Sequence, residues 1–225
     1  MATTGPKRVY GGVSAEQRQA ARREQLLSAG LQELGTAGWK ATSVRTICQE
    51  ARLNQRYFYE SFSGLDELLV AVFDRIVDEM IAAVTEAIQQ APPTYLDQAR
   101  ALVGAVVATS TDDPRKGRIA FIGAPGNQAL MRRRLERMHG EIADGFALFA
   151  LHHPTGLDAT SAKLDAHLLA GGLIQAMVAW LQGRLDVDRD RLIDHYAAAV
   201  VAVSGIASRG SEHPLPATVN PGAVP

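Results

Sequence analysis

The chain has 225 residues, 47% apolar and 21% charged, which is the composition of an ordinary globular protein with one good-sized core or two small ones. A collagenous, disordered or disulfide-stapled chain is excluded, and the single cysteine, Cys48, leaves no internal disulfide or cysteine cluster and fits a reducing compartment. The net charge of −1 conceals a split: residues 1–63 carry nine Lys/Arg against five Glu, and the remainder fourteen Lys/Arg against nineteen Asp/Glu, so only the first third is suited to meet a polyanion.

Residues 1–13 are polar, carry Lys7 and Arg8 and read as a flexible basic arm. Residues 1–10 lack the apolar core of a secretion signal. The longest nearly uncharged stretches, 168–181 and 196–208, fall short of the roughly 18–20 residues that span a bilayer, so the expectation is a cytoplasmic protein with no membrane partner. Ser14 with Gln17 forms a capping box for a first helix, on which Leu27, Leu31 and Leu34 recur until Gly35 and Gly38 stop it. Thr42 or Ser43 caps a short second helix whose Val44, Ile47, Cys48 and Ala51 make one apolar stripe ending near Arg52. Asn54 caps a third, with Leu53 placed to staple onto Phe58.

Ser63 then caps a long fourth helix running to Pro92, about 40 Å at 1.5 Å per residue. Further helices are expected near 94–110, 115–123, 127–152, 159–183 and 188–207, giving an all-α protein of about nine helices. The last two are apolar around most of their circumference, which points to a partner subunit. Four of the ten prolines fall in 209–225, read as a disordered tail.

Two short helices joined by a three-residue turn, 42–51 and 54–62, make a helix-turn-helix, whose second helix enters the DNA major groove by its first turn. Burying Leu53, Phe58 and Phe62 turns Gln55, Arg56, Tyr57 and Tyr59 outward, a face suited to phosphates and base edges. The competing reading is an ordinary helical hairpin with exposed aromatics.

The run Gly38-Trp39-Lys40-Ala41-Thr42-Ser43-Val44-Arg45-Thr46-Ile47, then Ala51, Leu53, Tyr57-Phe58-Tyr59, Phe62 and Leu68, closely resembles the amino-terminal domain of the TetR family of transcriptional regulators over about residues 20–70. The likeness is looser beyond, at Asp113-Pro114-Arg115 and from Gly171-Gly172 to Trp180 and Gly183. It implies a homodimeric regulator with a helix-turn-helix DNA-binding domain at 14–63 and an effector-binding and dimerisation domain at 64–208. The DNA contacts so implied are Lys40, Thr42, Ser43, Arg45, Asn54, Gln55, Arg56, Tyr57 and Tyr59, made to a double-stranded, pseudo-palindromic operator. The last two helices would pair through Leu169, Leu173, Ile174, Met177, Val178, Leu181, Tyr196, Val200 and Val203. Arg52, Asn54, Arg56 and Leu65 stand where the family usually has Gly, Ser, Gly and Lys, so an operator sequence cannot be borrowed from relatives.

Phe73, Met80, Tyr95, Phe121, Met131, Met138, Phe146 and Trp180 are candidates to line a pocket for an unknown small-molecule effector, although at helical spacing they also suit plain core. Arg132-Arg133-Arg134 with Arg137 reads as a solvated face or as a complement to an anionic effector or a partner's acids. The histidines fall at no metal-ligand spacing: His152 and His153 diverge, as do Asp165 and His167, and neither His139 nor His195 has a partner in a recognised motif. No phosphate loop, nucleophile elbow or carboxylate pair appears, so no metal, cofactor or enzymatic activity is expected. The expectation is a repressor released by the effector; the alternative is a DNA-binding factor of the same fold without one.

Overall fold

The computed structural model describes residues 14–153 and 156–210. The expected arm at 1–13 and the expected tail at 211–225 lie outside the described residues; 209 and 210 are helical, not tail. No strand occurs among the described residues. The elements are α1 (Ala15–Thr36), a 3₁₀ turn (Trp39–Ala41), α2 (Val44–Glu50), α3 (Gln55–Tyr59), α4 (Leu65–Gln90), α5 (Tyr95–Thr111) and α6 (Pro114–Gly117), which continues as a π turn (Arg118–Ile122). There follow α7 (Gln128–Arg137), a second π turn (Met138–Ile142), α8 (Ala143–Leu151), α9 (Ala159–Leu181) and α10 (Arg189–Gly210). Counting α7, the π turn and α8 as one run gives nine helices among the described residues, against the about nine expected.

Three of the four expected caps are present. Ser14 and Gln17 close a reciprocal capping box, Ser43 does the same with Thr46, and Asn54 Oδ1 accepts from the Arg56 amide at 3.0 Å. The fourth is different. The Ser63 amide and hydroxyl both donate to Glu67 Oε2 at 2.7 Å, and the first turn of α4 closes from the Leu68 amide to the Gly64 carbonyl at 3.2 Å. Ser63 is thus held by the helix and does not cap it, and these bonds lower the Glu67 carboxyl below its ordinary range.

The described residues divide into two compact units, those up to 86 with 105–135 and 87–104 with those from 136 onward. In the first, Leu26, Leu27, Ile47, Phe58, Phe62, Leu68, Leu69 and Val72 form a core in which α1 packs on α2 and α3. Cys48 lies in this core, where burial pushes its thiol pKa up and keeps it a packed, protonated group. In the second unit α9 packs on α8 and α10, burying Phe146, Phe149, Ala166, Leu169, Leu173, Met177 and Val200. By length and composition α9 is apolar enough to cross a membrane, contrary to the reading of 168–181 alone, because the helix is longer than that stretch and tolerates Lys163 and Asp165.

That packing corrects part of the expected dimer surface. Leu169, Leu173, Met177 and Val200 lie in the core of their own chain, whereas Ile174, Val178, Leu181, Tyr196 and Val203 are half-buried. Leu164 and Leu168, 69% and 63% exposed, carry the apolar face that the chain itself leaves uncovered. Tyr196 donates to the Leu169 carbonyl at 2.6 Å and faces Gly172, where any side chain would collide with its hydroxyl.

Candidate nucleic-acid interface

Helix α3 is too short to stand alone, and its placement comes from two aromatic anchors. Phe58 and Phe62 are buried with ring centroids 5.8 Å apart, and Tyr59 packs edge-on to Phe58 at 5.4 Å. With the inner face fixed, Gln55, Arg56, Tyr57 and Tyr59 are all turned outward, Tyr57 36% and Tyr59 59% exposed. Arg22 of α1 lies over the Tyr57 ring at 4.5 Å and Arg23 over the Phe62 ring at 5.0 Å, so α1 adds two cations beside α3. Arg22 and Arg23 were not among the sequence candidates, since their spacing within α1 carries no motif.

Arg56 has an 80% exposed side chain whose Nε is held 3.0 Å from Glu60, one turn on. An exposed pair of this kind contributes little to stability and leaves the guanidinium free to exchange Glu60 for a phosphate or a guanine edge. Lys40 and Arg45 are also exposed, on the 3₁₀ turn and the first turn of α2.

Three candidates are placed less favourably for contact. Thr42 is buried and its hydroxyl donates to the Gly38 carbonyl at 2.9 Å, so it closes the 3₁₀ turn and presents no free donor, which corrects its sequence assignment. The Ser43 hydroxyl accepts from the Thr46 amide at 3.1 Å and the Asn54 side chain accepts from Arg56. Both are committed as caps.

The turn before α3 holds a feature that the sequence marked only as a departure. Arg52 has φ +54°, the one non-glycine with positive φ among the described residues. The Leu53 amide donates to the Cys48 carbonyl at 2.9 Å and the Arg52 amide to the Gln49 carbonyl at 3.2 Å, a Schellman ending that places Arg52 at the left-handed position. Gly183 fills the same position at the end of α9, where the Arg184 amide donates to the Ala179 carbonyl at 2.8 Å.

The effector candidates are shared between the two units. In the first unit Phe73 and Phe121 are buried, Met80 is half-buried and Met131 is 54% exposed, pointing away from any core. In the second, Phe146 is buried and Tyr95 stacks on Phe149 at 5.4 Å, with its hydroxyl 2.7 Å from that of Ser204. The Trp180 indole donates to the Val187 carbonyl at 2.8 Å, pinning the link into α10. The Met138 side chain lies outside the described residues.

Residues 26–72 match the family of bacterial regulatory proteins described as the tetR family. Among curated relatives, the transcriptional activator FasR of Mycolicibacterium smegmatis is 25% identical over 196 residues, covering 84% of this chain and 87% of that one. Among solved structures, a putative transcriptional regulator of Pseudomonas aeruginosa superposes with a TM-score of 0.68 at 24% identity, covering 88% of this chain and 95% of that one. The regulator FadR of Bacillus subtilis, solved in complex with stearoyl-CoA, superposes at 0.66 with 14% identity, covering 80% and 98%.

Proposed function

We propose that the chain is a DNA-binding transcriptional regulator of the TetR family, which binds a two-fold operator as a homodimer in the cytoplasm and is released by a small molecule. The DNA-reading face consists of Gln55, Arg56, Tyr57 and Tyr59 of α3, flanked by Lys40, Arg45, Arg22 and Arg23. What supports this most directly is the anchoring of α3 by Phe58 and Phe62, which leaves an arginine and two tyrosines together on the outer face of one short helix. The division of labour between 14–63 for DNA and 64–208 for effector and dimer is part of the same proposal.

An effector is included because a solved structure of the same fold is a complex with stearoyl-CoA. The sign of regulation is taken as repression, with the activator named among the relatives as the competing outcome. Footprinting over the chain's own promoter region, followed by transcription in vitro with and without the protein, tests both. Protection of a palindromic site with lowered transcript is expected. Absence of any protected site would end the proposal, and raised transcript would reverse the sign.

A further inference from the structure

The arginine cluster of α7 is resolved into separate roles. Arg133 Nε lies 2.7 Å from Asp74 Oδ1, and Arg137 Nη2 lies 2.9 Å from Glu141 Oε2, so each of these cations has its acid. Arg134 does not. It is half-buried and donates from Nη2 to the Ile119 carbonyl at 2.9 Å, its single hydrogen bond among the described residues. Its Nε is buried with no acceptor among the described residues. Burial lowers its pKa with no acid to offset the cost, although a guanidinium remains charged at any physiological pH.

A partly desolvated cation without a counter-charge is costly, and a group perturbed in this way is a candidate for a functional site. Its immediate neighbours are an aromatic ring and a glycine. The guanidinium lies over the Phe73 ring at 5.9 Å and against Gly123, where any side chain would collide with it and where φ of +68° favours glycine in addition. Val72, Phe73 and Ile76 of α4 and Leu130 of α7 are buried apolar groups of the same unit.

We propose that Arg134 anchors the head of the effector, and that this head is a single carboxylate on an apolar body. The inference rests on the effector reading above and gives it a ligand class. One uncompensated cation matches one negative charge, and the fork of N–H donors matches a carboxylate. The site also has a route to the DNA-reading helices within its own compact unit. Arg134 holds the carbonyl of Ile119, and the preceding residue, Arg118, donates from Nη1 to the Thr36 carbonyl at 2.8 Å, at the end of α1. A carboxylate drawing the guanidinium off Ile119 loosens the π turn that carries Arg118.

The test is calorimetric titration of the full-length protein with hexanoate, octanoate and benzoate, each beside its primary amide, and with octyl phosphate. At least one carboxylate should bind about 10- to 100-fold more tightly than its amide, as expected of a hydrogen bond to a charged group. Arg134→Met should erase that preference and Arg134→Lys should keep part of it. Equal binding of acid and amide by the wild-type chain, binding of none of the acids, or an acid preference surviving in R134M would each overturn the proposal; the first two need no variant to fold. Tightest binding of octyl phosphate would also overturn the carboxylate assignment. Operator release by an uncharged compound while no acid binds would leave the effector reading intact and remove this one. Acid binding through Arg134 without operator release would do the reverse.

Discussion

Arg118 Nη1 donates to the carbonyl of Thr36 at 2.8 Å, joining residues far apart in sequence at the end of α1. Helix α1 has no basic residue in its last turn, so its open carbonyls and the negative end of its dipole are met from elsewhere. Arg115 supports the same junction through Gln32 Oε1 at 2.5 Å while its Nη2 lies 2.8 Å from Asp113. Arg118→Met should therefore cost about 1–2 kcal/mol in urea unfolding. It should also weaken operator binding, since α1 supports α3. Unchanged stability together with unchanged affinity would mean the contact carries neither load.

Arg52 occupies a left-handed position that costs a non-glycine residue about 1–2 kcal/mol. Part of any gain from glycine is returned through the greater freedom of the unfolded chain, about 0.5–1 kcal/mol. Arg52→Gly should thus raise stability by about 0.5–1 kcal/mol while lowering the salt slope of DNA binding by about 0.9 if Arg52 meets a phosphate. Denaturation of R52G at or below the wild-type midpoint would show that the turn has relaxed around its arginine.

For DNA recognition the structure separates two residues that sequence placed together. Arg56→Ala should weaken operator binding by about 1–3 kcal/mol and relax preference at one base pair in each half-site. Thr42→Ala should act on stability instead, by about 1 kcal/mol through the lost bond to Gly38, with specificity untouched. Binding assays over a panel of single-base operator variants read both. A change in base preference from T42A alone would reverse the assignment.

The helix-turn-helix was legible because its signals are local. Ser43 and Asn54 cap within three residues, and Phe58 and Phe62 share a face at helical spacing. The cap of α2 was legible only as a choice: either Thr42 or Ser43 can cap by pattern, and the backbone shows that Ser43 does while Thr42 turns inward. Sequence could not divide α9 into inner and outer faces, because leucines at 164, 168, 169 and 173 look alike until α8 and α10 are placed. Nor could it single out Arg134 among neighbouring arginines, since that depends on where Asp74 and Glu141 lie.

Asp165 of α9 has a buried Oδ2 without a hydrogen-bond partner among the described residues, and burial raises its carboxyl above the ordinary value. A carboxyl with a raised folded-state pKa favours folding while protonated, so its contribution is present at pH below the unfolded value near 4 and is lost as pH rises through the folded one. Asp165→Asn should accordingly raise the melting temperature at pH 7 and make little difference near pH 3. A stabilisation of equal size at both pH values would trace the effect to packing instead of charge.

In the proposed homodimer the exposed stripe of α9 is the surface through which the two chains meet. Leu164, Leu168, Gly171, Ile174, Val178 and Leu181 follow one another at spacings of three and four, so they line one side of the helix. Leu164 and Leu168 lie mostly in solvent in the single chain, whereas Leu173 is 4% exposed on the inner side. A two-fold partner laid along the stripe buries it against itself. Leu168→Glu should then yield a folded monomer, with an unchanged helical spectrum, a halved mass by light scattering and weakened operator binding. Leu173→Ala, by contrast, should lower stability by about 2–5 kcal/mol through the cavity it leaves, without separating the chains that remain folded. If L168E stays dimeric at micromolar concentration, the stripe is not the interface, and the two-fold contact must be sought on another face.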